Sequence, residues 1–142
     1  MAYWLLKTEP DVFSWEDLEA RGPTGEVWDG VRNHQARNMM RAMRVGERAF
    51  FYHSRGRAPA VVGICEVIAE AHPDPTTDDP RWECVDVRAR HPLARAVPLS
   101  EIKAEPRLAD MVLVRNSRLS VQPVTEAEWR LICAMGGTDA GA

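Results

Sequence analysis

The chain has 142 residues, 45% of them hydrophobic, enough for one domain with a single core and no need of disulfide or metal staples. A formal charge of −3 argues against nucleic-acid binding over the whole surface, and Cys65, Cys84 and Cys133, odd in number, far apart and set in apolar runs, read as buried free thiols of a reducing compartment. Met1 runs into Lys7 and Glu9 without the apolar stretch of a signal peptide, and no apolar run reaches membrane-spanning length, so a cytoplasmic location with no membrane partner is expected.

In chain order, Tyr3-Trp4-Leu5-Leu6-Lys7 reads as a strand, broken by Glu9-Pro10. Ser14 is placed to cap a short helix beginning at Trp15, which Arg21-Gly22-Pro23-Thr24-Gly25 ends. From Asn33, residues Ala36, Met39, Met40 and Met43 recur at helical spacing and predict an amphipathic helix closing at Val45-Gly46. Its Met stripe is a core face, not a cofactor box. Arg37, Arg41 and Arg44 form a separate stripe roughly 115° away, at the 100° per residue of an α-helix.

Beyond Gly46, residues 49–53, 61–68 and 82–88 predict strands separated by Gly, Pro and Asp turns. Ser100 is expected to cap a helical turn, residues 117–124 are extended, and Thr125 with Glu128 forms the capping box of a last helix that stops at Gly136-Gly137. Short strands interrupted by short helices, without a βαβ rhythm, predict an α+β fold built on a small mixed barrel. No repeat or linker divides it.

The charge is unevenly spread. Residues 30–60 carry Arg32, Arg37, Arg41, Arg44, Arg48, Arg55 and Arg57 against Glu47 alone, whereas acids outnumber bases on both sides. Such a field can hold phosphates, and it is also what a solvated helix face plus a loop would show. A Gly-rich phosphate loop, a Gly-x-Ser-x-Gly elbow, a His-x-x-x-His pair and a Cys-x-x-Cys are all absent.

What is present suits a flat heterocycle. Trp28 offers a stacking face, while Asn33, Ser54 and the peptide groups around Gly30 match the donors and acceptors on the edge of a splayed-out base. The alternatives are core burial for Trp28 and helix capping for Asn33. His53 or His34 acting as a base beside Asp29 would make an enzyme working on a flipped base; a hydrogen-bonded structural histidine is the other reading of each. A small-metabolite or protein-interaction module, with the Arg stripe meeting acidic partners, is a third class.

Five segments then carry a resemblance: Trp4-Leu5-Leu6-Lys7-Thr8-Glu9-Pro10, Trp28-Asp29-Gly30-Val31-Arg32-Asn33-His34-Gln35-Ala36-Arg37-Asn38, Phe50-Phe51-Tyr52-His53-Ser54, Val62-Gly63-Ile64-Cys65-Glu66-Val67 and Leu119-Ser120-Val121-Gln122-Pro123-Val124. In order and spacing they closely resemble the successive signatures of the EVE domain. The likeness implies a single EVE domain over residues 1–137, followed by a frayed tail at 138–142. It also implies a PUA-like fold, a twisted, partly closed β-barrel of short strands flanked by helices, related to the YTH domains that bind N6-methyladenosine in RNA.

By the same resemblance the chain is a binding module without catalytic residues, cofactor or metal, whose partner is nucleic acid carrying a modified base, in DNA or RNA, with modified cytosine foremost. A monomer is expected. The implied pocket comprises Trp28, Asn33, Thr8, Lys7, Asp29, Gly30, Val31, His53 and Ser54, with Arg32, Arg37, Arg41, Ser120 and Gln122 on a phosphate-holding rim. The chain departs from the usual family pattern in Thr8 for Ser, in His34 for a frequent Tyr, and in a shorter loop at 74–81.

Overall fold

A computed structural model describes residues 1–56 and 58–141. Its strands are β1 (Tyr3–Thr8), β2 (Glu26–Val27), β3 (Arg48–His53), β4 (Ala60–Pro73), β5 (Glu83–Pro98) and β6 (Val121–Val124). Its α-helices are α1 (Trp15–Ala20), α2 (His34–Ala42), α3 (Leu99–Ala104), α4 (Val112–Arg115) and α5 (Glu126–Met135). The strands form one mixed sheet in the order β2-β5-β4-β3-β1-β6. Among the described residues only β1 and β3 run parallel, because the chain between them crosses over through α1, β2 and α2.

The run Trp4-Leu5-Leu6 lacks an alternating pattern because both faces of the sheet are covered. Trp4 and Leu6 enter a core with Trp15, Leu18, Trp28, Met40, Met43 and Phe51, on the side of α1 and α2. Leu5 enters the opposite core with Phe50, Ile64, Ile102, Trp129 and Ile132, on the side of α3 and α5. There Trp129 stacks on Phe50 at 4.0 Å and on Tyr3 at 4.5 Å, contacts worth about 1 kcal/mol each beyond area burial. On the first face α1 lies against Gly63, where a Cβ would stand 2.6 Å from the Trp15 ring, so only glycine admits the helix.

The caps expected at Ser14, Asn33 and Thr125 are formed. Ser14 Oγ accepts from Asp17 N while the Asp17 carboxylate accepts from Ser14 N, and Thr125 with Glu128 repeats the arrangement on α5. Asn33 caps α2 through Oδ1, which accepts from Ala36 N at 2.9 Å.

Other elements differ from expectation. The sheet is open among the described residues, with β2 and β6 at its edges, rather than a partly closed barrel. Its central ribbon is not short: β4 has 14 residues and β5 has 16. Pro92 and Pro98 in β5 read as breaks, and the repeated register shifts between β4 and β5 erase the period of two. Helix α2 ends at Ala42; Met43 is extended yet fully buried, so the core pattern outlasts the helix. Ser100 lies inside α3, whose N-cap is Pro98, and residues 117–120 form a turn ahead of β6.

The segment after α5 is tied down over its described part. Thr138 N donates to Cys133 O, Thr138 Oγ1 accepts from Ala94 N, and Trp129 Nε1 donates to Ala140 O. All three cysteines are free and buried, and burial pushes each thiol up to about 12. Among the described residues no helix is long and apolar enough to cross a membrane.

Candidate functional site

The segment between β2 and α2 forms one wall of a cavity of about 430 Å³ at the end of β1. Trp28 N donates to Val85 O at 2.8 Å, which fixes the start of the segment against β5. Gly30 then turns it with φ +78°, a left-handed conformation that glycine adopts without strain. Val31 is buried and Arg32 exposed, so the turn swings the chain from core to surface before Asn33 opens the helix.

Asp74 holds this segment from behind. Its buried carboxylate accepts from Gly30 N at 2.9 Å, Arg32 Nη1 at 2.9 Å, Thr76 N at 2.8 Å and Thr76 Oγ1 at 2.5 Å. Burial opposes its charge, but the hydrogen bonds from Thr76, Arg32 and Gly30 prevail and hold the carboxyl well below the usual carboxylate range. Arg32 also donates to Thr76 Oγ1 at 2.9 Å.

Facing the segment are Lys7 and Thr8 at the end of β1, Ser120 before β6, and the apolar pair Val12 and Phe13 ahead of α1. Lys7 Nζ donates to Ser117 O at 2.5 Å and lies 5.7 Å from the Tyr52 ring centre, with no carboxylate in ion-pair range among the described residues; burial lowers its pKa. Asp29, on the other wall, has its pKa raised by burial and then by Asp74 and Glu26. Trp28 is 8% exposed, because its ring meets Phe51 edge-on at 5.7 Å and Phe13 edge-on at 6.3 Å. It is therefore largely a core residue that presents a remnant of its surface to the cavity.

Of the residues expected at the site, the cavity gathers Lys7, Thr8, Trp28, Asp29, Gly30, Val31, Arg32 and Ser120. Asn33 does not line it and spends its side-chain oxygen on the α2 cap. His53 does not line it either: Nε2 accepts from Trp15 N at 3.1 Å, and burial lowers its pKa, which keeps the ring neutral. The Asp29–His53 pair of an enzymatic reading is thus not assembled in the cavity. Ser54 lies in an adjoining, more open depression. Gln122 is not on the rim; it is fully buried, with Nε2 donating to Leu119 O at 2.8 Å.

The arginine field is mostly spent on carboxylates distant in sequence. Arg32 pairs with Asp74, Arg41 with Glu83, Arg44 with Glu70, Arg48 with Glu66 and Arg55 with Glu9. Arg37 donates to Arg81 O and Asn38 Oδ1, and lies over the Trp82 ring, as Arg32 does. His34 stacks on that same ring at 4.9 Å. Arg57 lies outside the described residues.

Sequence reasoning missed Val12, Phe13, Glu26, Val27 and Asp74. An apolar pair between Glu9-Pro10 and the Ser14 cap was a usable signal for the first two. Nothing local linked Asp74 to Gly30 across 44 residues.

Residues 2–135 match the EVE domain. Human thymocyte nuclear protein 1 is 37% identical over 94% of this chain and 73% of its own length. A crystal structure of an Agrobacterium tumefaciens protein superimposes with a TM-score of 0.95 at 53% identity, covering 97% of this chain and 94% of that one. Human THYN1 protein, crystallised in complex with 5-methylcytosine-containing DNA, matches with a TM-score of 0.90 at 36% identity over 98% of this chain and 99% of that one. The YTH domain of Zygosaccharomyces rouxii MRB1 shares the fold at a TM-score of 0.56 and 18% identity, over 95% of this chain and 86% of that one. The chain belongs to the EVE domain family.

Proposed function

We propose that this protein, acting as a monomer, binds nucleic acid by taking one modified nucleobase, a 5-methylcytosine or a close relative, into the cavity between Lys7-Thr8 and the segment 28–32. The observation that carries the reading is the extent of its likeness to human THYN1 protein, whose complex contains 5-methylcytosine DNA. The cavity chemistry supports it. At about 430 Å³ the cavity lies in the range of about 300–1,000 Å³ typical of small-ligand sites.

The roles follow from the chemistry of a cytosine ring. An ionised Asp29 accepts from the exocyclic amino group, as carboxylates do at cytosine edges. Lys7 and the Thr8 hydroxyl supply donors for the ring's carbonyl and imine acceptors, and the base must leave any stack to reach them. The methyl group meets Val12, Phe13 and the exposed part of Trp28; burying one methyl is worth about 0.8 kcal/mol, or roughly fourfold in affinity.

The test compares affinities for single-stranded oligonucleotides carrying 5-methylcytosine or cytosine, using wild type and Asp29→Asn. Wild type should favour the methylated strand by about fourfold, and Asp29→Asn should weaken both by about tenfold through one charge-assisted hydrogen bond. Equal binding of the two strands by wild type, or full affinity in a folded Asp29→Asn, would overturn the reading.

A further inference from the structure

Beside the base cavity lies the more open depression of about 560 Å³, which shares Lys7, Thr8, Val12 and Ser120 with it. The two differ in charge. The base cavity balances Glu26 and Asp29 against Lys7 and Arg32, whereas the depression has three cations, Lys7, Arg55 and Arg118, against the single carboxylate of Glu9. Arg55 neutralises that carboxylate at 2.7 Å. Arg118 has neither a hydrogen-bond nor an ion-pair partner among the described residues, and Lys7 has no carboxylate. Ser54, Ser117 and Ser120 complete the lining.

Backbone hydrogen bonds join the walls. Lys7 N donates to Ser120 O at 3.0 Å and Ser54 N donates to Thr8 O at 2.9 Å, tying both sides to β1. The turn that carries Arg118 is fastened by Gln122 Nε2, which donates to Leu119 O at 2.8 Å and Asn116 O at 3.3 Å, and by Lys7 Nζ on Ser117 O. The buried Gln122 thus serves to hold the backbone of this turn in place, and the Arg118 side chain, exposed and without a partner among the described residues, is left available to an anion.

We propose that this depression is an anion subsite for the phosphodiester next to the bound base, with Lys7 and Arg118 as its cations and the three serine hydroxyls as donors. The strand then passes over the end of β1, not along the arginine stripe of α2, where Arg41 and Arg44 are paired with Glu83 and Glu70. This rests on the proposed base-binding function.

The experiment measures binding of methylated and parent single strands, in DNA and in RNA, over a range of salt for wild type, Arg118→Ala and Arg41→Ala. Both substituted residues are exposed, and thermal unfolding verifies the fold of each variant. Arg118→Ala should weaken the methylated and parent strands by the same factor, about threefold to tenfold at low salt, and reduce the salt slope by about 0.7, the single-strand value for one phosphate contact. Arg41→Ala should change neither, and the backbone that shows the Arg118 effect identifies the source of the phosphate. An unchanged slope in an Arg118→Ala protein that still separates methylated from parent strand overturns the subsite and leaves the base cavity standing. A reduced slope in a protein that never separates the strands keeps the subsite and removes the base cavity. An equal loss in Arg41→Ala overturns the assignment in favour of α2, and no binding of any strand overturns both.

Discussion

Asp74 does not line the cavity, yet it holds the wall formed by Gly30 and Arg32 through the hydrogen bonds it takes from them and from Thr76. Its folded-state pKa is depressed below the ordinary aspartate value, so its contribution is fully present above about pH 4 and is lost as pH falls through that range towards the folded pKa. Asp74→Asn should cost on the order of 3 kcal/mol at neutral pH and flatten the acid side of the stability profile, as measured by urea unfolding between neutral and acid pH. A variant profile parallel to that of wild type would contradict the assignment. None of this was legible at residue 74. The Asp74-Pro75-Thr76 run announces a turn, but its partners at Gly30 and Arg32 are more than 40 residues away. Separations of 42 and 26 residues likewise hid the acids that neutralise Arg41 and Arg44, since a local count of charges registers the arginines and not their partners.

At the scale of elements, what could be read was what is locally encoded. The caps of α1, α2 and α5 and the apolar core of β1 and β3 depend on neighbours within a few residues, so side-chain spacing was sufficient. The length of β5 was not, because its prolines are accommodated only through register shifts that a partner strand supplies. Asn33 illustrates how an element claims a residue. Its oxygen is engaged by Ala36 N, so Asn33→Ala should destabilise the protein by about 1 kcal/mol, and Asn33→Ser, which retains a cap, should restore most of that loss. Neither variant should alter the preference for methylated over parent strand; a changed preference in thermal-melt-verified protein would return Asn33 to the base site.

At the scale of the whole molecule, the sheet separates a support from a working edge. The face packed by α3, α4 and α5 holds Trp129 and Phe50, and none of its buried core residues lines the cavity or the depression. The other face carries α1 and α2, and between them the end of β1 delivers Lys7 and Thr8 to both recesses. That placement makes one prediction for the intact protein. In NMR titrations with a 5-methylcytosine strand, backbone amides of Lys7, Thr8, Trp28, Asp29 and Gly30 should shift, more strongly than with the unmethylated strand, while those of Arg37 and Arg41 on α2 stay in place. Shifts confined to α2, or identical responses to the two strands, would contradict the account.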